Sequence, residues 1–397
     1  SDGRTRLVNQ NDCRTTDLGR LRAHGPVDLH WLQFSGAIWY PMVYDLEPAE
    51  LARLAAAKVD SQFTRALRYV EALDARAVVP SAGPPAFLDD DLWHLNMIHG
   101  DEPTIFPDQR EFLARLAARG RTGVLNIPGT AIDVTPDAIT TSHPAPFTSD
   151  SDVLAAVFAD KEAYLRRYQA DWKQWIADTK AGWAATAAAT SDELLDQLKS
   201  WWEPLLRMAP TLRRAVGANC RFTALGDDTG PTLDLLIDFP AGEVRPFTDQ
   251  DHAFSFRIPR TLVATVAARR AVDWSNSLFL SCRFQAWRAG DFNEYLYNFF
   301  KSLSVERMRR AEAEAVRKLD PPTETEPDIE LVGAAGTYTV QRRCPHRNAD
   351  LSVFGEVEHD ADGNDVLVCT LHGWKFDCTT GACLTAVDRP IRIRRNG

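Results

Sequence analysis

The first 145 residues alternate between short apolar runs and longer stretches in which apolar residues recur at helical spacing. Short runs bounded by turn residues are typical of buried strands, whereas apolar side chains three or four positions apart predict a helix. Strand, helix and strand in this order predict a layered α/β unit for residues 1–145. In chain order, the predicted elements are a strand at 27–34, a helix at 48–73, a strand at 75–80, a helix at 109–120 and a strand at 123–130.

Residues 146–225 are expected to be helical. A broad stripe of apolar and aromatic side chains runs from Asp152 to Ala185 at helical spacing, and Ser191 is expected to cap a second helix that continues through Trp201 and Trp202. Aromatic stripes of this kind usually lie in a core. A role in lining a substrate pocket or in carrying electrons stays open.

The remaining chain divides into three parts. Residues 226–318 return to strands and end in a charged helix, residues 319–328 form a Pro- and Glu-rich linker, and residues 329–397 predict a small all-β domain. The predicted fold class is therefore a multi-domain α+β protein that begins with an α/β part and ends with the all-β domain.

The composition narrows the partners. The 397 residues are 45% hydrophobic and 25% charged, with a net charge of −10. No basic block favours nucleic acid or an anionic membrane, and no apolar run approaches the length of a membrane span. Because the first residues are polar, no signal peptide is expected, and we predict a cytoplasmic protein. The seven cysteines are too few for a disulfide framework in a chain of this length.

Two short boxes near the end of the chain carry the strongest chemical signal. Cys344 and His346 form a Cys-x-His box, and Cys369 and His372 form a Cys-x-x-His box. Two thiolates and two imidazoles are the ligands of a Rieske [2Fe–2S] centre. Tetrahedral zinc is the competing interpretation, but a zinc finger groups its cysteines together and its histidines together, whereas each pair here is mixed. Cys378 and Cys383, beside the second box, are interpreted as packing residues.

Residues 343–351 and 372–377 resemble the cluster loops of Rieske ferredoxins and Rieske oxygenases. The resemblance implies that His346 and His372 bind the outer iron and that Trp374 packs over the cluster. The segment between the boxes is longer than we expect for the oxygenases. Its Asp362-Gly363 turn signal predicts that the extra residues lengthen a hairpin.

A second resemblance involves residues 11–13, 34–37, 79–83 and 128–133, which are similar to the later half of the metallo-β-lactamase-like domain of CMP-N-acetylneuraminate hydroxylase and its bacterial relatives. Stretches within residues 233–300 resemble the C-terminal region of the same family. Those hydroxylases also carry a Rieske domain, placed before the hydrolase-like domain.

This resemblance implies that Asp12 is a metal ligand. It also implies a His-x-His-x-Asp-His box in an earlier half of the domain, which the sequence lacks. We expect that the chain begins midway through the domain, that a separate polypeptide completes it, or that the fold is reduced. The position at which related hydrolases commonly place a histidine falls near residues 81–83, so a hydrolytic two-metal site is expected to be impaired.

An alternative second metal site is Asp91, His94 and His99. Their spacing is that seen around the mononuclear iron of Rieske dioxygenases, which use two histidines and one carboxylate. The competing interpretation is structural, with Asp91 and His94 capping a short helix that ends near His99.

These features together predict a Rieske oxygenase of the hydroxylase or monooxygenase type. A reductase or ferredoxin would bring electrons from external NAD(P)H to the [2Fe–2S] cluster and onward to a non-haem iron, which activates O₂ to oxidise a small polar substrate. Two alternatives stay open: an electron-transfer Rieske subunit of a two-polypeptide oxygenase, and a metallo-β-lactamase-like hydrolase with a redox domain.

Overall fold

The structure is a computed structural model of the 397-residue chain. For Arg20 and residues 151–154 it describes the helical backbone but not the side chains. The described residues are 3–13, 15, 17–23, 25–36, 38–147, 151–188, 193–319, 326–345, 349–360, 363–370, 373–385 and 390–396.

The N-terminal part is the predicted α/β unit. Its three main strands are all parallel, in the order β1-β2-β3, and the helix predicted at residues 48–73 occupies those residues. The elements are β1 (Leu7–Asn9), α1 (Leu18–Arg22), β2 (Leu29–Gln33), α2 (Pro48–Leu73), β3 (Ala77–Ser81), a 3-10 helix (Asp90–Leu95), α3 (Gln109–Ala117), β4 (Ala131–Val134) and β5 (Ile139–Ser142).

Helix α2 begins and ends where its sequence dictates. Pro48 occupies the first turn, where its missing N–H costs nothing, and Asp74 adopts a left-handed conformation that closes the last turn. The buried face of α2 packs Phe63, Leu67 and Val70 against Phe34 and other residues of the sheet. This packing buries one face of the parallel sheet.

The strand predicted at residues 123–130 is absent. Only Gly123 pairs with β3, through a single parallel bridge to Val78. Pro128 lacks a backbone donor, and Gly129 has a φ of +86°, so the chain cannot continue along the sheet. It instead turns into the antiparallel hairpin of β4 and β5.

The middle of the chain forms helices followed by a five-stranded sheet of order β10-β9-β6-β7-β8. The predicted division between residues 225 and 226 is wrong, because β6 ends there and is the central strand of that sheet. The elements are α4 (Ser151–Ala159), α5 (Lys161–Ala188), α6 (Leu194–Met208), α7 (Pro210–Val216), β6 (Cys220–Leu225), β7 (Leu233–Asp238), β8 (Glu243–Pro246), β9 (Phe254–Pro259), α8 (Arg260–Ala268), α9 (Trp274–Ser277), a 3-10 helix (Phe279–Ser281), β10 (Gln285–Arg288), α10 (Glu294–Phe300) and α11 (Val305–Leu319).

Tightly packed aromatic rings fill the space between this sheet and its helices. The Trp202 ring lies 5.3 Å from those of Phe222 and Trp274, measured between centroids, and all three side chains are fully buried. Edge-to-face contacts of this kind add to the gain from burying apolar area. The helices before β6 therefore belong to the same structural unit as the sheet.

The α/β unit and the five-stranded sheet also share their core. Tyr44 forms a parallel bridge with Ala286 at the edge strand β10, and its hydroxyl lies 2.6 Å from that of Tyr297. Val43 and Leu95, which come from the α/β unit, are buried in the same apolar cluster as Trp202. These two parts pack as one body.

The aromatic stripe on α5 is not in a core, contrary to expectation. Tyr164, Tyr168, Trp172 and Trp175 are 37%, 39%, 40% and 60% exposed. The buried side chains of α5 among the described residues are Leu165 and Ala187. Ser191, the expected cap of the next helix, lies outside the described residues.

Over its described residues, the C-terminal part is all-β apart from one short helix and contains two three-stranded sheets, β11-β12-β16 and β13-β14-β15. The lengthened hairpin that we predicted is formed by β13 and β14. Gly363 of its turn has a φ of +81°, whereas Asp362 lies outside the described residues. The elements are β11 (Ile329–Gly333), β12 (Gly336–Val340), α12 (Leu351–Phe354), β13 (Gly355–His359), β14 (Asp365–Cys369), β15 (Trp374–Asp377) and β16 (Ile393–Arg395).

Most of the predicted linker at 319–328 cannot be assessed, because residues 320–325 lie outside the described part of the chain. Leu319 still belongs to α11. Among the helices that the structure describes, none combines the length and the apolar character that crossing a membrane requires.

The shared core gives a first prediction. Tyr44→Phe or Tyr297→Phe alone should lower the free energy of unfolding by about 1–3 kcal/mol, because each removes the hydrogen bond that joins the two buried hydroxyls. The double variant should cost less than the sum of the two, since no orphaned hydroxyl remains. Chemical denaturation followed by far-UV circular dichroism measures these values.

Tyr40→Phe is the matched control. The Tyr40 ring packs 5.0 Å from that of Tyr44 but is only partly buried, so its hydroxyl should contribute little. Strictly additive costs for Tyr44→Phe and Tyr297→Phe would show that the two parts of the chain are not coupled through this pair.

Candidate metal centre

The first ligand box lies in a loop between β12 and α12. The Cys344 N–H donates to the Ala349 carbonyl at 3.0 Å, and the Leu351 N–H donates to the Arg342 carbonyl at 2.8 Å. Arg343 and Asp350 form an antiparallel bridge at the base of the loop. The loop is therefore closed by backbone hydrogen bonds, and they fix the direction in which the Cys344 side chain leaves the backbone.

The second ligand box is the tight connection between β14 and β15. Cys369 ends β14 and pairs with Trp374 across the strands. The Gly373 N–H donates to the Cys369 carbonyl at 2.7 Å, and Gly373 has a φ of +71°, a conformation that favours glycine. The Thr370 N–H donates to the Phe354 carbonyl, which ties this loop to α12.

The two cysteine side chains belong to one dry core. Cys344 and Cys369 are both fully buried and belong to a single apolar cluster with Leu351, Leu367 and Phe376. Trp374 packs against the same group of apolar side chains and is partly buried, as expected for a ring at the edge of this core. His346 and His372, the predicted imidazole ligands, lie outside the described residues.

These two sulfurs fit a [2Fe–2S] cluster. A cluster needs thiolates brought together from separate loops and shielded from water, and both conditions are met by Cys344 and Cys369. Cys378 is buried in the same core and forms no disulfide. Burial raises the pKa of its thiol to about 11, so Cys378 stays protonated at neutral pH. The interpretation of Cys378 as a packing residue is confirmed.

Charged side chains hold the first loop at its base. Hydrogen bonds from Ser352 and Arg342 lower the pKa of Asp350 to about 2, and Arg342 Nη2 lies 3.0 Å from Asp350 Oδ2. The Arg343 guanidinium donates two hydrogen bonds to Glu326, at 2.6 and 2.7 Å. This pairing connects the loop to the residues that precede β11.

Asp365 connects the two sheets, a role that no sequence motif indicates. Its carboxylate accepts hydrogen bonds from the Tyr338 hydroxyl at 2.8 Å and the Ala335 N–H at 3.0 Å, and it lies 2.9 Å from His359. Burial opposes ionisation of Asp365, but these partners outweigh it and lower its pKa. A Cβ at Gly333 would lie 2.5 Å from the carboxylate, so only glycine fits there.

The predicted triad of Asp91, His94 and His99 is not brought together. Asp91 and His94 line one cavity of about 510 Å³, whereas His99 lines another of about 340 Å³. Asp91 forms an ion pair with Lys180 at 3.2 Å. Within the part of the chain that the structure describes, no three His, Cys, Asp or Glu side chains are grouped so that they could hold a metal ion.

Asp12 follows the end of β1, as the sequence predicted. It lies in a turn, is exposed and has a φ of +60°. Its neighbour Asn11 accepts a hydrogen bond from Ser81 at the end of β3, so the carboxyl ends of these strands are joined by polar side chains. His30 is a packed histidine with Nε2 2.8 Å from Gln10 Oε1, and burial lowers its pKa to about 4.

One ion pair links the C-terminal part to the α/β unit. Lys375, directly after Trp374, places Nζ 4.0 Å from Asp17 Oδ2, and both side chains are largely buried. Asp17 lies in the connection between β1 and α1. The second ligand loop is therefore next to the carboxyl end of the parallel sheet.

Comparisons with known proteins agree with this geometry. A family profile for the Rieske [2Fe-2S] domain matches residues 323–391, and one described as "Rv3818-like, SCP2-like domain" matches residues 194–317. The expected metallo-β-lactamase-like domain is not supported: an SCP2-like domain is found instead, over a stretch that contains residues compared with the hydroxylase family. No solved structure matches the chain.

Two mycobacterial proteins are similar over the whole chain. "Putative Rieske 2Fe-2S iron-sulfur protein Rv3818" from Mycobacterium tuberculosis (strain ATCC 25618 / H37Rv) is 40% identical over 400 residues, which cover 100% of this chain and 72% of the relative. A protein of Mycolicibacterium smegmatis with the same description is 39% identical over 399 residues and is covered over 73% of its length.

The buried sulfurs give a second prediction. Cys369→Ala should abolish cluster binding, because it removes one of the two buried thiolates that close the site. Cys378→Ala removes a sulfur from the same core without touching either box, so it should keep the cluster. Iron and acid-labile sulfide per chain, with the visible spectrum, distinguish the two variants. Equal loss of iron in both would contradict the assignment.

Asp350 gives a third prediction, on acid stability. Its pKa is lower in the folded protein than its ordinary value of 3.8, so its contribution is present above pH 4 and is lost as pH falls toward 2. After allowance for screening by water, that contribution is about 1 kcal/mol. Visible circular dichroism of the bound cluster during denaturation should show the stability difference between the native protein and Asp350→Asn narrowing from pH 6 to pH 3. A constant difference would contradict it.

Proposed function

This chain belongs to the family of Rieske iron–sulfur proteins that includes Rv3818, and from that premise we propose that it transfers single electrons from a reductase or ferredoxin to an acceptor. The observation that supports this proposal most directly is the convergence of Cys344 and Cys369 in one dry core, from two loops within the matched Rieske domain. The mixed Cys and His boxes complete the donor set.

The chain's own residues determine how the site works. When bound, a [2Fe–2S] cluster with two histidine ligands supplies one-electron chemistry at a higher potential than an all-cysteine cluster does. Cys344 and Cys369 would hold one iron of the cluster and His346 and His372 the other, and Trp374, at the edge of the apolar core, would limit access of water. Asp365 and Asp350 keep the two loops in place from behind.

The contact between Lys375 and Asp17 supports a direction for the transfer. It connects the second ligand loop to the α/β unit of the same chain. We therefore propose that the acceptor binds on the side of the C-terminal part that faces the carboxyl end of the parallel sheet, where α/β folds commonly bind ligands.

Oxygen activation is the second candidate. It is favoured by the cavity of about 510 Å³ that Asp91 and His94 both line, a volume suited to a small polar molecule. This candidate adds a non-haem iron supplied with electrons that originate from NAD(P)H through a reductase. It requires a ligand other than His99, which lies in a different cavity.

Metal analysis and electron paramagnetic resonance give the fourth prediction. Electron transfer alone predicts two irons and two sulfides per chain and, after reduction, a rhombic signal of low average g, because histidine ligation distinguishes the two irons. A third iron that is lost in Asp91→Asn and His94→Ala would establish the second candidate. A colourless preparation that contains zinc and no sulfide would reject both.

A further inference from the structure

An exposed row of aromatic rings runs along helix α5. Tyr164, Tyr168, Trp172 and Trp175 follow one another at helical spacing and lie on one face. The rings also contact each other: the Tyr168 and Trp172 centroids are 6.3 Å apart, and those of Trp172 and Trp175 are 5.6 Å apart, in both cases edge to face. We call this row the aromatic stripe.

The aromatic stripe is as large as the largest apolar patches on single-chain proteins, which often have a function. Aromatic side chains offer roughly 150–250 Å² each, so four rings with exposures of 37% to 60% present about 350 Å² of continuous ring surface. Patches of this size on a single chain commonly mark an interaction surface.

The face continues beyond the rings as a row of small residues. After Trp175, the next positions on it are Thr179, Gly182 and Thr186, so that from Tyr168 onward the spacing alternates between four and three residues. This is the spacing of a coiled-coil seam. A Cβ built on Gly182 meets no atom within 4 Å, so the space beside the helix is open at this point.

The N-terminal half of this face carries large residues and the C-terminal half small ones. Two antiparallel copies of the helix therefore place the large half of each against the small half of the other. If two copies of α5 lie antiparallel, Trp175 faces Thr179 of the other copy. In the same register Trp172 faces Gly182 and Tyr168 faces Thr186, because each pair is equally distant from one centre. The three rings from Tyr168 to Trp175 then each meet a small residue, and the two-fold axis repeats each contact.

We propose that a second copy of this chain packs antiparallel along this face of α5, with the Trp172 ring of each copy seated over Gly182 of the other. Large residues set into gaps left by small ones give the interdigitation that helix pairs require. The interface is isologous, so it closes as a dimer.

The contact is of modest size. From Tyr168 to Thr186 the helix rises about 27 Å, and the three matched rings of the two copies together supply about 550 Å². Even with the flanking side chains added, the whole interface does not exceed the lower limit of about 1,200 Å² for specific complexes. We therefore expect dissociation in the micromolar range. An anionic membrane is a poorer partner, because the chain has a net charge of −10 and Asp171 and Asp178 flank the aromatic stripe.

Sedimentation equilibrium of the 397-residue chain, with its cluster bound, tests the proposal. Between about 1 and 100 µM the protein should change from monomer to dimer. Trp172→Ala and Gly182→Trp should each weaken dimerisation at least tenfold, the first by removing the ring and the second by filling the gap. Because the site of Gly182 is open, Gly182→Trp should leave the monomer folded.

The combined variant Trp172→Ala with Gly182→Trp is decisive. It moves the large ring from position 172 to position 182 and the small residue from 182 to 172, so each large residue again faces a small one and the dimer should be restored. Ala181→Trp, at an exposed position on another face of α5, is the matched control and should dimerise like the native chain. Circular dichroism verifies folding of each variant. A monomer at every concentration, sedimentation with lipid vesicles instead, or no recovery in the exchange variant would overturn the proposal.

Discussion

Two sulfur atoms from distant points in the sequence must reach one position that water does not enter, and the C-terminal part is organised around this requirement. Cys344 lies in a loop after β12, and Cys369 ends β14; both are buried in the same apolar cluster as Leu351, Leu367 and Phe376. A thiolate left alone in such surroundings would be strongly destabilised, so metal coordination and the dry core depend on each other.

Hydrogen bonds to Asp365 hold the two cysteine-bearing segments in a fixed relative position. Asp365 belongs to β14, the strand that ends in Cys369. It accepts hydrogen bonds from the Tyr338 hydroxyl and the Ala335 N–H, which lie in the β11–β12 hairpin. Its carboxylate therefore joins the sheet that leads to the first loop to the strand that carries the second. Gly333 leaves the room that this carboxylate occupies.

The α/β unit and the part with the five-stranded sheet pack together through one core. Tyr44 and Tyr297 join the α/β unit to the SCP2-like part through a shared aromatic core, and Lys375 meets Asp17 at the carboxyl end of the parallel sheet. The metallo-β-lactamase-like domain expected from the resemblance to hydroxylases is not supported, because the motifs behind that resemblance are short. Brief apolar runs ending in Asp, Pro or Gly mark strand ends in many folds and do not identify one of them.

The sequence by itself determined features that depend on neighbouring residues. Helix α2 keeps its predicted bounds because Pro48 and Asp74 act within one turn of its ends, and the two boxes are recognisable because each pairs a cysteine with a histidine two or three positions further along the chain. The tertiary structure alone decided what depends on residues far apart in the chain. It placed β6 between partners on both sides, separated His99 from Asp91, gave Asp365 its partners and left the rings of α5 in solvent. The spacing of apolar residues shows which side chains share a face, but only the packing of the whole chain determines whether that face is covered.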